Sequence, residues 1–135
     1  MLMIPLFHKI GENESITPAT LEKLFQKIPH LRIKKLKQRL NFGKNFCLTF
    51  DDATHDFYTV VFPLLKKYKF PALLGVPTGF IEEDHCNRKF THCSWSELRE
   101  MVNSGYVEIA SHSVNHFDVT NEEDIQDEIA KSKSE

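Results

Sequence analysis

Apolar residues along this chain fall into two kinds of stretch. Short, mostly apolar runs, Leu2 to Phe7, Phe46 to Phe50, Ala72 to Val76 and Val107 to Ala110, lack helical spacing and are bounded by turn residues or charges, which predicts strands. Pro5 interrupts the first run and favours an edge or a terminus there. Between the runs lie stretches with apolar residues three and four apart. Thr17 and Pro18 form an N-cap and first helical position, followed by a stripe of Leu21, Leu24, Phe25 and Ile28 that should end near Pro29. Val60, Val61, Leu64 and Leu65 predict a helix over Phe57 to Tyr68, with Pro63 as an internal kink. Ser94-Trp95-Ser96-Glu97 is a capping box opening a helix that Gly105 ends, and Thr120 starts a last one. Strands alternating with helices predict βαβ crossovers and parallel pairing, an α/β fold.

With 135 residues the chain holds one domain, 1–135, and one core. Its 41% hydrophobic and 27% charged residues are globular composition. A net charge of -2 argues against a general nucleic-acid binder, which needs a basic excess to neutralise phosphates. The basic segment Arg32 to Arg39 offers an anionic-ligand patch as one reading, but Leu31, Ile33, Leu36 and Leu40 can face a core while its charges stay solvated, which is the favoured one. No apolar stretch is long enough to span a membrane. Met1 to Phe7 is too short for a signal peptide and lacks a basic start, so the chain as given is expected to be cytoplasmic or to have been trimmed. Three widely spaced cysteines, Cys47, Cys86 and Cys93, do not suggest a disulfide framework. His85-Cys86 and His92-Cys93 match no common zinc spacing.

The chemistry gathers where the strands end. The run Phe46 to Phe50 stops at two adjacent carboxylates, Asp51 and Asp52, and unpaired carboxylates are too costly to bury, so they need a cation, a hydrogen-bond cage or open water. Val107 to Ala110 leads directly into Ser111-His112-Ser113-Val114-Asn115-His116, and the first run delivers His8. With 7 histidines in the chain, chance alone supplies roughly a third of one His-x-x-x-His pair, so the pair is weak evidence by itself. Position strengthens it. In parallel α/β folds the strands' C-terminal ends share one face, and on a helical turn residues four apart stand about 5–6 Å apart, close enough for two imidazoles and one carboxylate to share a divalent ion.

Leu48-Thr49-Phe50-Asp51-Asp52 and Ser111-His112-Ser113-Val114-Asn115-His116 resemble the first two signature motifs of the polysaccharide deacetylases, the NodB-homology group or carbohydrate esterase family four. The spacing between them, the strand beginning at Pro71-Ala72 and the stretch from Trp95 to Ile109 also resemble that family, over about Ile4 to His116. The resemblance implies a deformed (β/α) barrel, here incomplete. It makes Asp51 the general base and Asp52, His112 and His116 the ligands of a divalent metal, usually zinc. The reaction implied is removal of acetyl groups from N-acetylated glycans such as chitin-like polymers or peptidoglycan. A histidine after the first strand often lines the family's site, which makes His8 a candidate substrate contact; a solvent-facing or helix-contacting histidine is the alternative. Ala53 stands where the family usually has Gly. The family's later arginine-proline, aspartate-tryptophan and leucine-x-x-histidine motifs have no match in these residues, which implies weak turnover by this chain alone. The binding alternative is a metal- or glycan-binding remnant without turnover. An incomplete barrel also exposes an edge, which self-association or a complementing chain would cover.

Overall fold

Short apolar runs and amphipathic stretches alternate in the structure as they do in the sequence. It is a computed structural model and describes residues 2–14, 16–28, 32–33, 45–81, 91–116 and 122–134. The strands are β1 (Leu2–Met3), β2 (Leu6–Phe7), β3 (Arg32–Ile33), β4 (Asn45–Phe46), β5 (Leu48–Phe50), β6 (Ala72–Val76) and β7 (Val107–Ser111). The helices are α1 (Pro18–Lys27), α2 (Phe62–Tyr68), α3 (Trp95–Asn103) and α4 (Glu122–Ser134). Among the described residues these strands pair in parallel, in sheets ordered β1-β4-β3 and β2-β5-β6-β7. This open parallel arrangement is the incomplete (β/α) barrel expected.

Two predicted strands are each divided. Leu2 to Phe7 breaks at Ile4-Pro5, because proline has no amide to give the ladder. Its carbonyl still pairs, accepting from the Thr49 amide (3.2 Å) and hydroxyl (2.9 Å). The second run breaks at Cys47, so β4 joins one sheet and β5 the other.

The helices follow their caps. The Thr17 side chain accepts from the Thr20 amide, and Leu21 and Phe25 are buried, whereas Leu24 is 37% exposed and leaves the predicted stripe. The capping box of α3 is complete, Ser94 accepting from the Glu97 amide and Glu97 from the Ser94 amide. Gly105 follows α3 at φ 78, a left-handed value that glycine adopts without a Cβ penalty. The predicted helix over Phe57 to Tyr68 begins as a π-helical turn, Phe57–Val61, and becomes α-helical at Phe62. The wider turn ends just ahead of Pro63, which sits in the first turn of α2, where a missing amide is tolerated.

Phe50 lies at the centre of the core, stacked on Phe7 (5.0 Å between ring centroids) and edge-on to Phe57 (5.0 Å). Leu48, Leu74, Val76, Leu65, Leu98 and Met101 pack into the same cluster. β7 departs from the expected buried strand: Val107 is buried, but Ile109 is 41% exposed because β7 is the end strand of its sheet. The basic segment 34–39 and the His85-Cys86 pair lie outside the described residues. Cys93 is buried in the core as a free thiol, which burial pushes up to about 12.

Candidate metal centre and the adjoining carboxylate

Parallel pairing brings the ends of β2, β5, β6 and β7 to one rim, and the polar residues that follow them meet there. The Asp51 amide donates to the Phe7 carbonyl (2.9 Å), carrying the ladder one residue past β5. The chain then turns through two consecutive left-handed residues, Asp52 (φ 70) and Ala53 (φ 47). That turn separates the acids. Asp51 lies toward His8, with Oδ2 3.9 Å from His8 Nε2, and Asp52 points to the histidines that follow β7. Ala53 is fully buried and its carbonyl accepts from the Cys93 amide (2.8 Å), which holds the strained turn from below.

The His112 amide donates to the Val76 carbonyl (3.0 Å), continuing the β6–β7 pairing. Beyond it the chain bends rather than winding into the helical turn expected. Ser113 (φ 62) and His116 (φ 54) are left-handed, and the Ser113 hydroxyl accepts from the His116 amide (3.0 Å). The two imidazoles therefore meet through a loop, with ring centroids 4.8 Å apart.

Asp52 Oδ1 stands 3.1 Å from His116 Nε2 and 3.5 Å from His112 Nε2, and one ligand atom from each of the three residues lies within 4.8 Å of the others. Two ligands of one tetrahedral zinc, with bonds of about 2.0–2.1 Å, stand about 3.3 Å apart. Asp52 Oδ1 is buried, yet it has no hydrogen-bond partner despite these close nitrogens. A buried acceptor without a partner costs roughly 1–3 kcal/mol or more, and a cation shared with the imidazoles would satisfy it. The donor set, two imidazoles and a carboxylate with room for further ligands, suits zinc or a similar divalent ion.

A sequence profile described as polysaccharide deacetylase matches residues 41–135. The chain belongs to the polysaccharide deacetylase family. It is 31% identical over 87 residues to a poly-beta-1,6-N-acetyl-D-glucosamine N-deacetylase of Escherichia coli (strain K12), covering 56% of this chain and 13% of that protein. It is 37% identical over 70 residues to the enzyme of the same description from Staphylococcus aureus (strain MSSA476), covering 49% of this chain and 22% of that one. Among solved structures it is similar to the Streptococcus pyogenes deacetylase PplD in complex with acetate, at a TM-score of 0.82 and 26% identity over 97% of this chain and 65% of that chain. IcaB from Ammonifex degensii shares the fold, at a TM-score of 0.81 and 21% identity over 98% and 66%. The chain thus spans a small part of these curated relatives and about two thirds of these solved chains.

Several residues of this deacetylase-family site escaped the sequence reading. A Cβ on Gly75, in β6, would lie 2.8 Å from Asp51 Oδ1 and 3.4 Å from His112 Cβ, so both functional groups cross a bare backbone. A lone glycine inside an apolar strand is a signal for such close approach. Gly79 plays the same part under the histidine loop, where a Cβ would lie 2.8 Å from the Val114 carbonyl oxygen. Half-buried His92 packs its ring on Phe80 (5.1 Å); burial lowers its pKa while the charge of Asp52 acts in the opposite direction.

Proposed function

We propose that this chain carries the metal-binding and base-supplying part of a deacetylase that removes N-acetyl groups from an N-acetylglucosamine polymer. The observation that carries the reading is the convergence of His112 Nε2 and His116 Nε2 on the hydrogen-bond-free Asp52 Oδ1, with Asp51 next in sequence but turned away. That the curated relatives are named as poly-beta-1,6-N-acetyl-D-glucosamine N-deacetylases supports the substrate class.

Asp52, His112 and His116 would hold the divalent ion, with zinc as the first choice. When bound, such an ion polarises the acetamide carbonyl and lowers the pKa of water from 15.7 toward 7. Asp51 stays outside that ligand set and can accept the proton of the water that attacks the carbonyl carbon, a contribution of about 10²–10⁴-fold. The C–N bond then breaks, leaving acetate and a free amine. His8, 58% exposed and 3.9 Å from Asp51, would contact the sugar, and both its exposure and its nearness to Asp51 support that role. The proton for the departing nitrogen would come, by the family pattern, from the late leucine-x-x-histidine motif.

The test is acetate release from N-acetylglucosamine oligomers, with and without added zinc, together with hydrolysis of an activated aryl acetate whose leaving group needs no proton. Zinc-dependent ester cleavage that Asp51→Asn abolishes supports the reading. A chain that binds no divalent ion overturns it. Stoichiometric zinc binding with neither ester nor amide cleavage favours the binding-only alternative. The exposed apolar side chains of Ile109 on β7 (41%) and Val102 on α3 (43%) support self-association or a complementing chain, and sedimentation of the protein as an invariant monomer at rising concentration would remove self-association.

A further inference from the structure

We propose that Glu128, on α4, is a positioning residue for His112 and His116, acting through the peptide groups between them. The inference rests on reading Asp52, His112 and His116 as a metal centre. Glu128 Oε2 accepts from the backbone amides of Val114 (2.8 Å) and Asn115 (2.9 Å), and Oε1 accepts from Asn115 Nδ2 (2.8 Å). One carboxylate therefore gathers three donors from the two residues that precede His116. The carbonyls of the same loop are held from the other side: the Thr78 amide donates to the Ser113 carbonyl (3.1 Å) and the Gly79 amide to that of Val114 (2.9 Å).

The clamp has something to oppose. Ser113 and His116 have left-handed backbone that non-glycine residues leave when nothing holds them. The His116 side chain is 49% exposed, so packing alone fixes its ring poorly, and its direction follows from the backbone. The bonds from the loop, foremost the Asn115 amide, hold the Glu128 carboxyl below its ordinary value, as charge-assisted bonds to an ionised acceptor do. α4 also meets the loop's beginning, through a hydrogen bond between the Ser132 and Ser111 hydroxyls. Docking of α4 and alignment of the ligands are thereby linked.

A role confined to docking would change stability alone, whereas a positioning role changes how the folded protein binds metal. Cobalt(II), whose absorption reports ligand geometry, is the probe. Titrations use the 135-residue chain, its Glu128→Ala and Glu128→Gln variants and chelator competition, with circular dichroism at each titration temperature to show that the variants are folded. Glu128→Ala is expected to weaken cobalt binding about 10- to 100-fold and to alter the spectrum, as losses of supporting groups around ligands do. Glu128→Gln should fall between, because its amide oxygen can keep both backbone donors while its NH₂ group opposes that of Asn115. A folded Glu128→Ala with the parent's affinity and spectrum overturns the proposal. If Glu128→Ala does not fold, Glu128→Gln decides on the same readouts. If the parent binds no cobalt, the metal reading itself falls, and hydrogen exchange tests the clamp separately. Val114 and Asn115 amides protected in the parent and released in the variants keep the loop-positioning role, while equal exchange ends it.

Discussion

Replacing Gly75 by Ala tests whether Asp51 acts from the position it holds. The added Cβ would lie 2.8 Å from Asp51 Oδ1, whereas His112 Cβ and Cγ, at 3.4 Å, are at ordinary contact distance. Restoring about 3.4 Å to the carboxylate requires a shift of about 0.6 Å, while the histidine can stay. A misplacement of about 1 Å at a reacting group costs about 100-fold, so about 10- to 50-fold is expected here. Stability should barely move. The clashing atom is the end of a side chain that can rotate, and alanine inside a strand is favoured over glycine by roughly 0.5–1 kcal/mol. For a chain of this size 1 kcal/mol is worth about 4 °C in Tm, and the variant should melt within that of the parent. Cleavage of an activated aryl acetate, zinc affinity by calorimetry and thermal melting separate the effects. The expected pattern is slow cleavage with zinc affinity within about threefold of the parent. Full activity in Gly75→Ala alongside its loss in Asp51→Asn would show that the alignment of Asp51 does not limit the rate. A zinc affinity as poor as that of His112→Ala would show that the clash reaches the metal ligand.

Zinc at 100 times its Kd should stabilise the parent by about 2.7 kcal/mol, and His116→Ala or Asp52→Asn should remove most of that thermal shift; an unchanged shift would place the ion elsewhere. Ala53→Gly should leave stability within about 1 kcal/mol by chemical denaturation, since relief of a left-handed alanine, about 1–2 kcal/mol, is offset by a lost buried methyl, about 0.8, and a freer unfolded chain. Ala53→Val, by contrast, should lose about 2 kcal/mol or more, because the fully buried position has neither space nor a backbone suited to a β-branched residue. Cys93, with its thiol raised to about 12 chiefly by burial, should resist alkylation at pH 8 in a Cys86→Ser background and react when the protein is unfolded; rapid labelling of the native state, assigned to Cys93 rather than Cys47 by peptide mass mapping, would contradict its burial.

Much of this site was legible because its first links are local. A strand that ends in charge, as at Phe50-Asp51, declares where its rim is, and three such strands of one direction place their ends together. The resemblance then divided the two acids, and the backbone supplies the physical means: left-handed Asp52 and Ala53 turn consecutive side chains apart. Other features depend on contacts that periodicity does not encode. Glu128 reaches Val114 from 14 residues away, and no spacing rule marks it. The π-helical turn answers to Pro63 and to packing around Phe57 together. The expectation of a helical histidine pair failed because i,i+4 spacing was the only geometry the sequence offered, while the bend arises from Thr78, Gly79 and Glu128 acting at once.

Strain is distributed in a way that links these observations. Of the five non-glycine residues with positive φ among the described residues, Lys69 ends a helix, and the other four, Asp52, Ala53, Ser113 and His116, lie in the two loops that carry the candidate ligands. Such conformations cost of order 1–3 kcal/mol each and persist only where the surroundings over-determine them. The restraints come from separate parts of the fold: the Cys93 amide ahead of α3, the Thr78 and Gly79 amides after β6, and Glu128 on α4. The convergence of Asp52, His112 and His116 is therefore a property of docked elements, and no isolated βα unit of this chain contains it. A ligand that binds only the converged arrangement favours all of these dockings at once, so a shared ion would stabilise the fold as well as the chemistry. The buried oxygen of Asp52, close to both imidazoles but without a hydrogen-bond partner, is where that coupling would be made.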